Sequence, residues 1–338
     1  MADKVLLNYK IDDRSYVSYV KREIHTLVVG EGFSSQKVGE IDIVVSELTS
    51  NLVKFAEEGE LLYRVSSDEN GPFFEIYCID NGKGISNLAR MRQDGISTSD
   101  TLGQGLGAIE RLSHTSSVFT NKGWGTLVHS KIYAKDFNPS ALKKNIDIGA
   151  VQVCCPGEKV CGDGYAVKRF GNGYQFFMGD GLGHGINAHE AAEEAIKAFK
   201  DCKEQSPSEV LRYINQQVKK TRGLVATVVY LDFEAKKWML CGIGNISTSI
   251  YTGLSARNYT PYNGIIGHNI PRTINDSVQD LEKYQTLIMH SDGLRTRWNL
   301  SELAGILKFD PNVIAAVLYK DNARHNDDMT VFAAKINL

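Results

Sequence analysis

The chain has 338 residues, of which 42% are hydrophobic and 23% charged, a composition typical of a soluble globular protein with two domains of ordinary size. With 38 basic and 40 acidic residues its net charge is −2, so no strong overall field favours nucleic acid or a membrane surface as a partner. The N-terminus lacks the apolar core of a signal peptide, and no apolar run reaches the roughly 20 residues that cross a bilayer. These features predict a cytoplasmic protein.

The first predicted elements are a helix over residues 36–56 and a strand over residues 73–79. In the first segment apolar residues recur every three or four positions, which is the spacing of one helix face. The second segment is a run of strand-forming residues that ends at Asp80. Alternation of apolar and polar residues over 126–133 predicts a further, half-buried strand.

A polar stretch around Pro139 follows that strand and is typical of a linker. We therefore predict one domain over residues 1–135, a linker over 136–145 and a second domain over 146–338.

The second domain is predicted to be rich in strands, with a few helices. The predicted strands cover residues 174–178, 224–233, 237–243, 285–290 and 330–336, and the predicted helices cover 187–200 and 207–219. The second helix is expected to begin with a capping box formed by Ser206 and Glu209. This pattern indicates an α+β fold in which helices cover a β-sandwich.

Several polar and glycine-rich motifs of the first domain suit a nucleotide site. Glu47 and Asn51 lie four residues apart and so share one helix face. An asparagine oxygen suits Mg²⁺, and a carboxylate one turn away can accept a proton from an attacking hydroxyl. Asp80 can accept the exocyclic amine of adenine, and the glycine-rich segment 103–107 can bind phosphate at a helix N-terminus. Each motif alone is also common in solvated helices and turns, but their order and spacing together are far more specific.

In this order and spacing, residues 42–133 resemble the GHKL (Bergerat) ATPases, whose fold is an α/β sandwich. The motifs DGISTS at 94–99 and LGQGLG at 102–107 are similar to those of RsbT-like switch kinases. The resemblance implies Asn51 as an Mg²⁺ ligand, Glu47 as the general base and Asp80 as the adenine contact. The further ATP contacts that it implies are Gly82, Gly84, Gly103, Gly105, Leu106, Gly107 and Thr126.

Acidic residues at strand ends indicate a metal site in the second domain. Asp163, Asp180, Asp292 and the pair Asp327–Asp328 lie far apart in sequence, each beside a predicted strand. A single Asp-Gly is usually a surface turn, but carboxylates at several strand ends can converge on two divalent cations. Oxygen ligands favour Mg²⁺ or Mn²⁺ over zinc.

Residues 146–338 resemble the SpoIIE-type metal-dependent Ser/Thr phosphatases, with an α–β–β–α fold, and are especially similar to RsbX-like enzymes. The motifs that carry the resemblance are VCGD at 160–163, DGLGHG at 180–185, RG at 222–223, GN at 244–245, HSDGL at 290–294 and DDMT at 327–330. Many relatives have a glycine in place of Cys161. His184 is either a phosphate contact or general acid, or a loop residue without a chemical role.

The resemblance also implies the roles of the acidic residues. Asp180 is expected to bridge both metals and to be essential for catalysis, while Gly181 lends its carbonyl oxygen. Asp163 is expected to hold one metal. Asp292 and Asp327 are expected to hold the other, with Asp328 as the alternative to Asp327.

Together the two resemblances imply a bifunctional signalling protein that uses ATP, Mg²⁺ and Mn²⁺. It would phosphorylate and dephosphorylate serine or threonine on a STAS-domain anti-sigma-factor antagonist, with no nucleic acid or membrane partner and with homo-oligomers possible. One alternative is a phosphatase whose ATP-like domain only docks a partner or senses nucleotide, and another is a non-enzymatic scaffold. The six cysteines are expected to be reduced and mostly buried.

Overall fold

The computed structural model describes residues 5–11, 14–55, 58–85, 88, 105–136, 145–253, 255–298, 300, 303 and 305–337. The chain divides into two compact units, one essentially Asp3–Lys143 and the other Lys144–Leu338. Within the described residues, no helix is both long enough and apolar enough to cross a membrane. All six cysteines are free thiols and five are buried, as expected.

The N-terminal unit contains an antiparallel five-stranded sheet with the strand order β1-β2-β3-β5-β4. Its strands are β1 (Leu7–Ile11), β2 (Gly59–Asp68), β3 (Gly71–Asp80), β4 (Thr115–Asn121) and β5 (Gly125–Tyr133). Its helices are α1 (Arg14–Gly30), α2 (Ser35–Phe55) and α3 (Gly105–Leu112).

Helix α2 forms the centre of the N-terminal core because its apolar residues recur at helical spacing. Val44 and Leu48 are fully buried and pack in one cluster with Ile76 and Cys78 of β3. The predicted helix over 36–56 is confirmed to within a residue at its start. The opposite side of α2 is left partly exposed, and Glu47 and Asn51 lie there.

The C-terminal unit contains two five-stranded sheets, a first with the order β13-β10-β9-β8-β7 and a second with the order β12-β11-β14-β15-β6. The strands are β6 (Ile146–Val153), β7 (Asp163–Phe170), β8 (Gly173–Gly181), β9 (Leu224–Asp232), β10 (Lys237–Ile243), β11 (Ser247–Thr252), β12 (Ser255–Tyr259), β13 (Ser277–Asp280), β14 (Gln285–His290) and β15 (Met329–Ile336). The helices are α4 (Ile186–Asp201), α5 (Pro207–Gln217) and α6 (Pro311–Asn322), with a short 3-10 helix at Ile306–Lys308.

Alternation along the strands separates two cores. Phe176 of β8 packs with Trp238 and Phe332 between the two sheets. Its neighbour Phe177 points to the other face and packs against Phe199 of α4. Helices α4 and α5 cover the first sheet, and α6 packs on β6 and β15 of the second. The unit therefore has the expected α–β–β–α layers.

The predicted capping box at the start of α5 is wrong. Ser206 makes no side-chain bond to the helix backbone, and its hydroxyl instead donates to Asp276 Oδ2 at 2.6 Å. The other oxygen of Asp276 accepts the Ser208 N–H at 2.7 Å. A carboxylate from a distant segment thus caps this helix N-terminus, where negative charge is favourable. The helix ends at Gln217, two residues earlier than predicted.

Candidate metal and nucleotide sites

Two of the predicted metal-binding acids face each other across the β7–β8 ladder. Asp163 is the first residue of β7, and the antiparallel register pairs it directly with Asp180 near the end of β8. Side chains of directly opposed residues lie on the same face of a sheet, a few ångströms apart. The hairpin therefore brings together two carboxylates that are 17 positions apart in sequence.

The second sheet brings two more acids to the end of the C-terminal unit where Asp180 lies. Asp292 follows β14 and Asp327 precedes β15, and these two strands are antiparallel neighbours. Asp180, Asp292 and Asp327 line one open cleft of about 360 Å³. The other residues lining the cleft are Leu182, Gly183, Val225, Gly244, Asn245, Asn263 and Gly264.

The electrostatics of the cleft favour a bound cation. Burial raises the pKa of Asp180 to about 9, and the charges of Asp163 and Asp292 act in the same direction. Burial likewise raises the pKa of Asp163 to about 7 and raises that of Asp327. The buried oxygen Asp163 Oδ1 has no hydrogen-bond partner. Crowded carboxylates with an unpaired buried oxygen suit divalent cations.

The acids do not form a closed cage. In the part of the chain that the structure describes, no three Asp, Glu, His or Cys side chains are gathered closely enough to hold a metal ion by themselves. Mg²⁺ commonly keeps several water ligands and binds only one or two carboxylates directly. The spacing in this open cleft therefore fits hydrated cations better than a site made entirely of protein ligands.

Asp327 and Asp328 have different surroundings. Both oxygens of buried Asp328 accept backbone N–H groups, Oδ1 from Cys155 and Oδ2 from Gly162, each at 2.8 Å. Asp328 thereby joins the two ends of the loop between β6 and β7. Asp327 lines the cleft and is the better placed of the two to meet a cation.

Glycines allow close packing beside these acids. A Cβ on Gly181 would lie 2.3 Å from the carbonyl oxygen of Ala188 in α4, so no side chain fits there. The Gly181 N–H donates to the Gly162 carbonyl at 3.0 Å, which ties the two acidic strand ends together. His184 lies outside the residues that line the cleft and pairs with Glu158 at 2.7 Å.

Two polar side chains beside the acids had no role assigned from sequence. The Ser291 hydroxyl donates to Asp163 Oδ2 at 2.6 Å. The Asn245 amide donates to Asp292 Oδ2 at 2.9 Å. Both lie in the SpoIIE-like motifs, but only the tertiary fold shows which acid each one contacts.

In the N-terminal unit, the start of α3 lies against the polar side of α2. A Cβ on Gly105 would be 2.8 Å from Glu47 Oε2 and 3.8 Å from Asn51 Nδ2. The structure thus brings the predicted base, the predicted Mg²⁺ ligand and a helix N-terminus together. Such a terminus offers unpaired backbone N–H groups that suit phosphate.

Asp80 organises a second group of the predicted nucleotide contacts. Its Oδ1 accepts the N–H of Gly82 at 2.8 Å and that of Thr126 at 3.1 Å. Gly84 has a φ of 75°, and a Cβ there would lie 2.2 Å from the carbonyl oxygen of Asn121. A Cβ on Gly82 would lie 2.7 Å from the carbonyl oxygen of Phe55, so this group adjoins the C-terminal end of α2.

The remaining predicted nucleotide contacts are buried or lie outside the described residues. The Leu106 side chain is buried in the core and Gly107 is buried within α3, so only their backbone is suited to a ligand. Gly103 and the motif at 94–99 lie outside the described residues.

Comparison with known proteins agrees with both sets of motifs. The family model for Stage II sporulation protein E (SpoIIE) matches residues 171–337. Phosphoserine phosphatase RsbX of Bacillus subtilis (strain 168) is 26% identical over 188 residues, which cover 54% of this chain and 90% of that protein. A crystal structure of RsbX in complex with magnesium matches with a TM-score of 0.52 at 21% identity. The match covers 58% of this chain and 98% of the RsbX chain, so the matched part of this chain has the RsbX fold.

A second curated relative is a protein kinase. Serine/threonine-protein kinase RsbT of Bacillus subtilis (strain 168) is 30% identical over 99 residues, which cover 29% of this chain and 74% of that protein. The chain therefore belongs to the RsbT-like family, and in the same chain it carries a phosphatase domain of the SpoIIE/RsbX type.

Proposed function

We propose that the C-terminal unit hydrolyses phosphoserine or phosphothreonine on a protein, with two Mg²⁺ or Mn²⁺ ions held in the acidic cleft. The observation that carries this proposal is the convergence of acids from two sheets. Asp163 and Asp180 oppose each other in register, and Asp292 and Asp327 reach the same end of the unit from the other sheet.

Each residue would have its own role in holding the ions. Asp180 would contact both of them, Asp163 would hold one, Asp292 with Asp327 would hold the other, and the Gly181 carbonyl oxygen would be a further ligand. Bound divalent cations lower the pKa of water and neutralise charge on a phosphoryl group. The amide of Asn263 lines the cleft and can donate to phosphoryl oxygens.

The phosphatase assignment is tested with Asp180→Asn in the full chain. We expect Mn²⁺-dependent release of phosphate from a phosphoserine-bearing STAS protein to fall at least about 100-fold, because the neutral amide cannot bridge two cations. Asp147→Asn is a matched control, since Asp147 lies on β6, accepts a hydrogen bond from the Asn337 amide and does not line the cleft. Full turnover by Asp180→Asn would refute the metal assignment.

For the N-terminal unit we propose a GHKL-type site that binds Mg-ATP and transfers phosphate to serine or threonine. Its support is the proximity of Gly105 to Glu47 and Asn51. A further support is that Asp80 Oδ1 accepts the backbone N–H groups of Gly82 and Thr126. Glu47 would act as general base and Asn51 would bind Mg²⁺. Nucleotide binding without phosphoryl transfer would instead identify a docking or sensing domain.

With both activities, the chain would add and remove phosphate on one class of partner. Because it is similar to both RsbT and RsbX, we propose a STAS-domain anti-sigma-factor antagonist as that partner, in a partner-switching pathway.

A further inference from the structure

A buried hydrogen bond between Ser291 and Asp163 links the two sheets of the C-terminal unit directly. Asp163 begins β7 in the first sheet, whereas Ser291 follows β14 in the second. Their bond, from the Ser291 hydroxyl to Asp163 Oδ2 at 2.6 Å, joins residues 128 positions apart and is buried.

The Ser291 hydroxyl is itself held by the backbone of the second sheet. Its oxygen accepts the Thr330 N–H at 3.1 Å, and the Ser291 N–H donates to the Thr330 carbonyl at 3.1 Å. Since the Thr330 N–H supplies the proton for that contact, the proton of the Ser291 hydroxyl is available for Asp163. This bond occupies Asp163 Oδ2 and leaves the buried Oδ1 without a protein partner.

A second hydrogen bond holds Asp292, which follows β14 of the second sheet. Asn245 lies in the connection from β10 of the first sheet to β11 of the second, and it lines the cleft. Its amide donates to Asp292 Oδ2 at 2.9 Å. Each of these links holds the Oδ2 atom of one predicted metal-binding acid through a polar group on a different segment.

We propose that Ser291 and Asn245 are positioning residues, which hold Asp163 and Asp292 in the orientation that binds divalent cations. The inference rests on the proposed metal-dependent phosphatase function and adds two residues to it. Removing a group that hydrogen-bonds a metal-binding side chain typically lowers metal affinity 10- to 100-fold.

The test measures Mn²⁺ binding by titration calorimetry on the metal-free full chain, with thermal unfolding in EDTA as the readout of folding. We expect Ser291→Ala and Asn245→Ala each to weaken Mn²⁺ binding about 10- to 100-fold. The Asn245 variant removes only an exposed side chain, so its unfolding temperature in EDTA should stay at the wild-type value. It therefore keeps the test decisive if Ser291→Ala folds poorly.

Ser249→Ala and Asn258→Ala are the matched controls. These residues bond each other at 2.8 Å on β11 and β12, and neither lines the cleft. They should bind Mn²⁺ as the wild type does, and Ser291→Thr, which keeps the hydroxyl, should bind more tightly than Ser291→Ala.

Wild-type Mn²⁺ affinity in Asn245→Ala and in a folded Ser291→Ala would overturn the inference while leaving the phosphatase proposal intact. A wild-type chain that neither binds Mn²⁺ nor releases phosphate would instead refute the proposed function itself.

Discussion

At the scale of single residues, the acids that line the cleft or are buried beside it differ in their requirements for neutralisation. Asp163 and Asp180 are held in a setting that disfavours their charge, whereas Asp328 has both oxygens bonded by backbone N–H groups. Asp328 can therefore stabilise the fold without a cation, while the other two acids depend on protons or cations for neutralisation.

The raised pKa values predict how stability depends on pH without metal. In the unfolded chain these carboxyls ionise near their ordinary value of 3.8, but in the folded chain Asp163 and Asp180 hold protons to about 7 and about 9. The folded state thus binds more protons between pH 4 and 9, and stability falls as pH rises through that window. In EDTA, thermal unfolding of the wild type should shift down between pH 6 and 8.5 more than that of Asp180→Asn. Equal shifts would contradict the raised pKa of Asp180.

Asp80 allows a test of the proposed nucleotide site. In Asp80→Asn, the amide oxygen can still accept from Gly82 and Thr126, but the new NH₂ group cannot accept the adenine amine. Losing a bond to a charged acceptor costs about 1.5–3 kcal/mol, so ATP affinity should fall about 10- to 150-fold with little change in unfolding temperature. Asp68→Asn, at the end of β2, is the control. Unchanged ATP affinity would remove Asp80 from the adenine site.

At the scale of elements, local sequence patterns explain where the helices and strands form, but not how helix α5 is capped. The strands Lys237–Ile243 and Gln285–His290 have the predicted bounds because continuous apolar and β-branched runs fit a sheet buried on both faces. The helix α2 follows in the same way from its apolar spacing. The start of α5 does not, because the acceptor that caps it lies 68 residues away at Asp276.

That cap can be measured directly. Asp276→Ala should lower the free energy of unfolding by about 1–2 kcal/mol, because it leaves the Ser208 N–H without its acceptor. Glu209→Ala should cost less than about 0.5 kcal/mol, since Glu209 only pairs with Arg212 on the surface of the helix. Denaturant unfolding of both variants gives the comparison. A larger loss for Glu209→Ala would restore the capping box predicted from sequence.

The same distinction applies to the candidate sites. The acids Asp163, Asp180 and Asp292 could be singled out from sequence because each lies in a recognisable motif. The roles of Ser291 and Asn245 could not, since the bond from Ser291 to Asp163 spans 128 residues and depends on how the two sheets pack. Likewise, Asp327 and Asp328 are neighbours in sequence and differ only in what the fold places around them.

At the scale of the whole molecule, two units with opposing proposed chemistry belong to one chain. The proposed nucleotide contacts lie in the first unit and the acidic cleft in the second, so the two proposed activities should be separable by single substitutions. Glu47→Ala is expected to leave phosphate release unchanged, and Asp180→Asn is expected to leave ATP binding unchanged.

The most direct measurement follows phosphoserine on one STAS-domain protein incubated with ATP, Mg²⁺ and Mn²⁺ and the full chain in three forms. Asp180→Asn should accumulate phosphorylated protein, and Glu47→Ala should only remove phosphate from protein that was phosphorylated beforehand. The wild type should settle at an intermediate level. If Asp180→Asn produces no phosphoserine while the wild type still removes it, the chain is a phosphatase without kinase activity, and the bifunctional account is contradicted.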